Sequence, residues 1–321
     1  MGYLVAASFF NKQRQISKDF SILAALFFVS GMINLLASQF HIIALASFLN
    51  MIMGLALIFA IAGHTKETYL IKKFIVWAAV ANCFYLAIQK FGWNPILNAE
   101  ITTGEEGAMM GNAANLSTLL AIALPFMMKE SVLAWFLLMI VGIVQQEGSL
   151  VLICVLYLMV TRPKTFVYMI VAGGAFIFLR WDDILHTSII GRLDIWRCTI
   201  EQTFQSPFWG WGLGNKPLVT SKLHQVVNEK PDYIYSSFLQ FMFSTGLIGL
   251  ISVVAALRTF FKKFTLADED MSIASIAILS IWKYPFEIQR LWIVICAVIA
   301  LWIIRVTNQE VANVGPFRRP R

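Results

Sequence analysis

Residues 41–62 read HIIALASFLNMIMGLALIFAIA, a run that contains no Asp, Glu, Lys or Arg. A helix needs roughly 20 apolar residues to cross the hydrocarbon core of a bilayer, so this run predicts a transmembrane helix. The rest of the 321-residue chain has the same character, because 59% of it is hydrophobic and only 13% is charged. Soluble domains carry about 25% charged residues. The deficit indicates that most of the chain faces lipid or a membrane-buried bundle, where an unpaired charge is costly.

The recurrence of such runs predicts the fold class. We expect an all-α integral membrane protein with about ten transmembrane helices, in one polytopic membrane domain over residues 1–321. Two of the runs are short and are separated only around Glu147, so one long broken helix is the alternative, although the densely basic short loops favour ten spans. The predicted spans are 20–38, 41–62, 74–91, 113–128, 131–145, 149–161, 166–180, 234–257, 271–286 and 290–305.

The distribution of Lys and Arg predicts the orientation. In the ten-span arrangement sixteen of the 25 basic residues fall on one face, which the positive-inside rule makes cytoplasmic together with both termini. Residues 92–112 and 181–233 then face outward. Merging 131–161 into one span reverses everything after it, so that alternative stays open. Basic loops that meet anionic membrane lipid account for the net charge of +7 without a nucleic-acid partner.

The cysteines and the N-terminus predict no additional site. Cys83, Cys154 and Cys296 lie inside apolar runs and Cys198 stands alone, which fits neither a disulfide framework nor a metal site. We therefore expect no metal and no other cofactor. Residues 1–10 form an apolar stub without a preceding basic region, so a secretory signal is not predicted, and both a further span and an interfacial helix stay open.

The long hydrophilic stretch at 181–233 is predicted to be a partly helical loop. Leu193, Trp196, Ile200 and Phe204 recur at spacings of 3, 4 and 4, which indicates an amphipathic helix that ends at Ser206-Pro207. The glycine-rich run 210–214 follows. It lacks both a strand–helix context and a Gly-Lys-Ser/Thr sequence, so we interpret it as a tight turn rather than a nucleotide-binding loop.

A set of motifs in and around this loop resembles the superfamily of O-antigen ligases and Wzy-type O-antigen polymerases. The resemblance covers about 110–255, nearly half of the chain. Its specific part is the block from Gly191-Arg192 to the glycine-rich run. The motifs are Gly111-Asn112-Ala113-Ala114-Asn115-Leu116, Gly191-Arg192, Trp196, Ser206-Pro207, Gly210-Trp211-Gly212-Leu213-Gly214, Tyr235, Leu239 and Gly246-Leu247-Ile248-Gly249-Leu250.

This resemblance implies a glycosyltransferase of lipopolysaccharide biosynthesis in the bacterial inner membrane. The donor would be an undecaprenyl-diphosphate-linked glycan, used in the periplasm without a metal. The acceptor would be another lipid-linked glycan in a polymerase, or lipid A core in a ligase. Tyr235-Ser236 stands where ligases carry a His-Asn pair, and the Glu147-Gly148-Ser149 element lacks the family's arginine. The first departure favours a polymerase and leaves the ligase as the alternative.

Three arginines are candidates for binding the diphosphate, because guanidinium groups bind phosphate oxygens bidentately. Arg192 is the first choice, since it begins a predicted helix, where the helix dipole disfavours a cation, and has no acid three or four residues on. The alternative is an ion pair with one of the aspartates at 182–183. Arg197 is flanked by Asp194 and Glu201, which favours a solvated ion pair, and Arg180 ends a predicted span.

The remaining site candidates are a base and two binding residues. His224, Asp232 and Tyr235 are the candidates to accept the proton of the attacking sugar hydroxyl. Trp211 and Lys216 complete the predicted substrate-binding set with Arg180, Arg192 and Arg197. Because six basic residues face six acidic ones between 180 and 233, a nonspecific polyanion-binding surface is not predicted.

Two other classes of function stay open on the sequence. A transporter needs ionisable residues inside its spans, and the candidates are few: Lys90, Glu147 and Lys283, the last at a predicted helix break before Pro285. The other class is a catalytically inactive protein that binds a lipid-linked glycan. It is suggested by the absence of the histidine that ligases of the superfamily carry.

Overall fold

The structure, a computed structural model, describes residues 16–38, 41–65, 67–91, 108–110, 112–128, 141, 148–161, 190–213, 234–283, 285–287 and 289–314. These residues are helical apart from turns and short connections, and no strand occurs among them. The predicted spans 131–145 and 166–180 lie almost entirely outside the described residues. The choice between one and two spans over 131–161 falls on the same residues.

The helices are named here in chain order. They are α1 (Lys18–Ala37), α2 (His41–His64), α3 (Thr68–Lys90), α4 (Ala113–Met128), α5 (Gly148–Thr161), α6 (Ile190–Thr203), α7 (Ser237–Lys263), α8 (Asp268–Trp282) and α9 (Gln289–Val314), with 3₁₀ turns at Ala108–Met110 and Pro285–Glu287.

The described helices form a bundle around α4 and α9. Every residue from 116 to 127 is buried, which is the behaviour of a helix that is apolar on all sides. Helix α4 packs against α3, α5 and α8, and α9 packs against α2 and α8. The hydroxyl of Ser272 on α8 donates to the carbonyl oxygen of Ile122 on α4, at 2.9 Å. This polar contact ties the second turn of α8 to the middle of α4.

The outer helices expose large apolar side chains, as expected where the neighbour is lipid rather than water. Leu36, Ile42, Trp77 and Phe84 are each more than half exposed. Five helices, α1, α2, α3, α7 and the part of α9 over Arg290–Ala312, are long and apolar enough to cross a membrane. Helices α4 and α5 are apolar but shorter. The described part of the chain is thus that of an all-α, multi-pass membrane protein.

One end of the bundle is held by ion pairs, and we call it the ion-pair end. The carboxylate of Asp270, fully buried at the start of α8, accepts hydrogen bonds from the backbone N–H of Thr265, the indole N–H of Trp302 and the guanidinium of Arg305. Beside it Glu269 pairs with Lys72 at 2.5 Å, between Nζ and Oε1. These contacts join α3, α8 and α9 in one network.

Replacement of Asp270 by alanine is expected to destabilise the protein by about 3–5 kcal/mol, because it leaves the mostly buried Arg305 guanidinium without its closest carboxylate. The matched control is Glu310→Gln, which breaks the ion pair of Lys263 on the same end, where the Glu310 side chain is 34% exposed. Partly exposed pairs contribute about 1 kcal/mol or less. Thermal unfolding of the two purified variants in one detergent should separate them, and equal melting temperatures would contradict the assigned role of Asp270.

Candidate functional site

At the opposite end of the bundle three short segments outside the α-helices meet, and we call this the site end. They are residues 108–110 and 112 before α4, residues 234–236 before α7, and residues 283 and 285–287 between α8 and α9. The helix break predicted at Lys283 is confirmed, since Lys283 has an extended backbone and α8 ends at the residue before it. Helix ends leave backbone groups without helical partners, so three such ends provide polar groups at one place in an apolar bundle.

Lys283 holds two of these segments together. Its side chain is buried, and its Nζ donates to the carbonyl oxygen of Ala114 at 3.2 Å and to the hydroxyl of Ser117 at 2.9 Å. Its own carbonyl oxygen accepts from the backbone N–H of Ser237 at 2.8 Å. The hydroxyl of Ser236 adds a bond to the carbonyl oxygen of Ser280 at 3.2 Å. The starts of α4 and α7 are therefore fixed to the end of α8.

Helix α6 lies against α7 and confirms the helix predicted from the loop sequence. The side it buries is partly polar, with Ile195, Thr199 and Gln202 all less than 9% exposed. Ile200 and Phe204, from the apolar stripe, are exposed instead. Since lipid tails are as apolar as a protein core, apolar side chains in a membrane protein do not identify the packed side of a helix as they would in a soluble protein.

The turn after α6 fills a break in α7. At Gly246 the helix is interrupted (φ 56°, ψ −151°), which frees carbonyls before the break and N–H groups after it. The N–H groups of Trp211 and Gly212 donate to the carbonyl oxygens of Phe243 and Ser244, at 3.0 and 2.9 Å. In return the carbonyl oxygen of Pro207 accepts from Leu247 at 2.8 Å. The turn thus supplies the hydrogen bonds that a broken helix within an apolar segment requires.

This exchange of bonds requires glycine on both sides. Gly210 has a left-handed backbone (φ 66°), and a Cβ there would collide with the carbonyl of Ser244. A Cβ on Gly246 would stand 2.5 Å from the amide nitrogen of Gly210 and 2.7 Å from the carbonyl oxygen of Phe208. The prediction of a tight turn is confirmed for residues 206–213. Its glycines allow two backbones to touch.

Two tryptophans anchor α6 in this arrangement. The indole N–H of Trp211 donates to the carbonyl oxygen of Gln202 at 2.7 Å, and that of Trp196 donates to the carbonyl oxygen of Ile234 at 3.0 Å. Both rings pack on a small buried cluster formed by Ile195, Ile234 and Phe243. Trp211, a predicted substrate-binding residue, therefore holds the turn against α6.

Arg192 and Tyr235 meet at the site end. The guanidinium carbon of Arg192 lies 5.4 Å from the centre of the Tyr235 ring, which is within the range of a cation–π contact. Arg192 is half-buried in the first turn of α6, and Tyr235 is half-buried two residues before α7 begins. The structure thus brings together two of the predicted site residues that are 43 positions apart in the sequence.

Arg197 has the surroundings that the sequence indicated. Its Nε lies 3.1 Å from Oε1 of Glu201, and the two side chains are 80% and 60% exposed. An exposed pair of this kind is explained by solvation, and it contributes little to stability. Arg197 therefore provides a reference cation on the same helix as Arg192.

The sequence matches no protein-family model, and it matches no curated protein. The superfamily resemblance therefore depends only on the motifs quoted above.

Four of the predicted site residues, Arg180, Lys216, His224 and Asp232, lie outside the described residues. Within the described part of the chain, no three His, Cys, Asp or Glu side chains form a group that could hold a metal ion.

Two further cations at the site end did not enter the predicted site. The sequence offers Lys283 only as a candidate transporter residue and does not single out Arg290. The guanidinium of Arg290, at the start of α9, donates to the carbonyl oxygen of Met109 at 2.5 Å. The sequence signal that could have found them is that both fall within predicted spans, 271–286 and 290–305, where an ionisable residue in a membrane protein is a candidate for a functional site.

Proposed function

We propose that the chain is a membrane glycosyltransferase of the O-antigen polymerase kind, which transfers or polymerises an undecaprenyl-diphosphate-linked oligosaccharide at the periplasmic face of the bacterial inner membrane. The observation that carries the proposal is Arg192, held on the Tyr235 ring at the site end of the bundle. A guanidinium fixed in this way is suited to an anion with several oxygen atoms, because its N–H fork matches phosphate geometry.

The side chains around Arg192 support a ligand that is itself a lipid. Leu193 and Ile200 on the same helix are exposed, and so are Phe208 and Trp209 in the following turn. Apolar and aromatic side chains exposed beside a cation suit the membrane–water interface, where tryptophan is enriched. The diphosphate of a polyprenyl-linked glycan lies at this depth, with its chain in the hydrocarbon and its sugars in water.

The proposed reaction has two chemical demands. The acceptor hydroxyl oxygen forms a bond to the anomeric carbon while the bond from that carbon to the diphosphate oxygen breaks, and undecaprenyl diphosphate leaves with the electron pair. Arg192 stabilises the charge that gathers on the departing diphosphate. A base accepts the hydroxyl proton. His224, Asp232 and Tyr235 are the proposed bases, and Arg180, Trp211 and Lys216 complete the proposed substrate-binding set, whereas Arg197 is left outside it because it forms a solvated ion pair with Glu201.

The proposed topology has ten spans, both termini in the cytoplasm and residues 181–233 in the periplasm. This topology is supported by the positions of the basic residues at the two ends of the helical bundle. Lys72, Lys263 and Arg305 take part in the ion-pair end, and all three belong to the basic stretches that the sequence assigns to the cytoplasm. Lys283 and Arg290 lie at the other end, which the same assignment makes periplasmic.

The proposal is tested with purified protein and an undecaprenyl-diphosphate-linked oligosaccharide, without added metal. Gel analysis of glycan length should show a ladder of lengthening lipid-linked products. Transfer that requires added lipid A core would establish a ligase instead, as the alternative from the sequence. Binding of the donor without consumption would select the inactive glycan-binding protein, and no binding at all would exclude the proposed substrate class.

A further inference from the structure

Tyr235 has an unusual backbone conformation. Its φ is 55°, a left-handed value that is uncommon for any residue other than glycine. This conformation is energetically unfavourable for a residue with a bulky side chain. Such conformations persist only where the surrounding structure imposes them, and they cluster at functional sites. Glycine or asparagine would adopt this backbone conformation at a lower free-energy cost. The presence of tyrosine therefore indicates that an interaction of its side chain offsets the cost.

The neighbours of Tyr235 on both sides hold this backbone in place. The carbonyl oxygen of Ile234 accepts from the Trp196 indole, and the hydroxyl of Ser236 accepts from the backbone N–H of Leu239 as the N-cap of α7. The bond from Ser237 N–H to the carbonyl oxygen of Lys283 fixes the next residue. These anchors reach α6 and α8, so the direction of the Tyr235 side chain is set by three helices.

That direction brings the aromatic ring to the Arg192 guanidinium. We infer that Tyr235 is a positioning residue, whose ring holds the guanidinium of Arg192 in the orientation that binds the diphosphate. A cation over the face of a ring keeps its N–H groups directed outward in the plane of the guanidinium, where a bidentate anion can reach them. The role in binding rests on the proposed function, whereas the contact between ring and cation does not.

This inference separates Tyr235 from the base candidates. A base acts through its phenol oxygen, whereas a positioning ring acts through its aromatic face. Tyr235→Phe removes the oxygen and keeps the ring, Tyr235→Leu keeps apolar volume without a π face, and Tyr235→Gly removes the side chain while suiting the left-handed backbone.

The test measures the accessibility of Arg192 directly. Purified wild-type protein and the three variants are treated with phenylglyoxal, and modification of individual arginines is followed by mass spectrometry. We expect the rate at Arg192 to be unchanged in Tyr235→Phe and to rise several-fold in Tyr235→Leu and Tyr235→Gly. Arg197, on the same helix but paired with Glu201, is the internal control and should react at one rate in all four proteins. Equal rates at Arg192 in all four proteins would overturn the inference.

A second measurement ties the contact to the ligand. Binding of undecaprenyl diphosphate to the same proteins in nanodiscs should be equal for wild type and Tyr235→Phe, and five- to tenfold weaker for Tyr235→Leu and Tyr235→Gly. In an Arg192→Ala background the Tyr235 substitutions should have no further effect on binding. Wild-type protein that binds no undecaprenyl diphosphate would defeat the proposed function, while the labelling experiment still decides the contact. Loss of turnover in Tyr235→Phe, with labelling and binding unchanged, would instead favour the phenol as base and overturn a role in positioning alone.

Discussion

Arg192→Ala is expected to abolish glycan transfer in a protein that still folds and inserts. Removing one preorganised donor that stabilises transition-state charge costs about 100- to 1,000-fold in rate. Arg192 is only half-buried and stands in the first turn of α6, so its loss should leave the contacts between α6 and α7 in place. The measurement is turnover of the lipid-linked oligosaccharide by purified variant, with the melting temperature recorded beside it.

Arg197→Ala is the matched control for this experiment. It removes the same charge from the same helix, but from a side chain that is 80% exposed and paired with Glu201. It should keep appreciable activity. Arg192→Lys completes the series, because it keeps the charge and loses the planar fork, and we expect it to recover only part of the activity. If Arg192→Ala and Arg197→Ala were equally active, the assignment of Arg192 to the diphosphate would fail.

Gly246→Ala has the second large expected effect, and it concerns stability rather than chemistry. The backbone of Gly246 lies in a region that only glycine occupies readily, and an added Cβ would meet the backbone of the 206–212 turn. We expect a loss of about 4 kcal/mol, because the turn must leave the break in α7 and the freed backbone groups then lack partners. Protein yield and thermal unfolding of the detergent-purified variant measure this.

Gly63→Ala is the control for that substitution. Gly63 is also helical, but nothing lies within 4 Å of a Cβ built on it. Alanine is favoured over glycine in a helix by about 0.5–1 kcal/mol, so the melting temperature should stay the same or rise slightly. A Gly246→Ala variant as stable as Gly63→Ala would mean that the turn and α7 do not depend on their close approach.

For the helices that the structure describes, the sequence was sufficient to predict their presence and insufficient to predict their contacts. Helix α6 is predicted by the periodicity of its apolar residues, yet the structure buries Thr199 and Gln202 and exposes Ile200 and Phe204. In a membrane protein an apolar side chain is stable against lipid as well as in a core, so apolar periodicity does not distinguish the two surroundings.

For the candidate site too, some features follow from the sequence and others only from the tertiary structure. The sequence by itself determined the multi-pass helical character, because uninterrupted apolar runs of about 20 residues match a membrane-spanning helix, which satisfies all of its backbone hydrogen bonds internally. It also singled out Arg192 as a cation at a helix start, and residues 210–212 as part of a turn. Only the tertiary structure decided that Arg192 lies on Tyr235 and that the turn fills the break at Gly246. Those contacts join residues more than 30 positions apart, and they depend on backbone geometry that no local sequence pattern encodes.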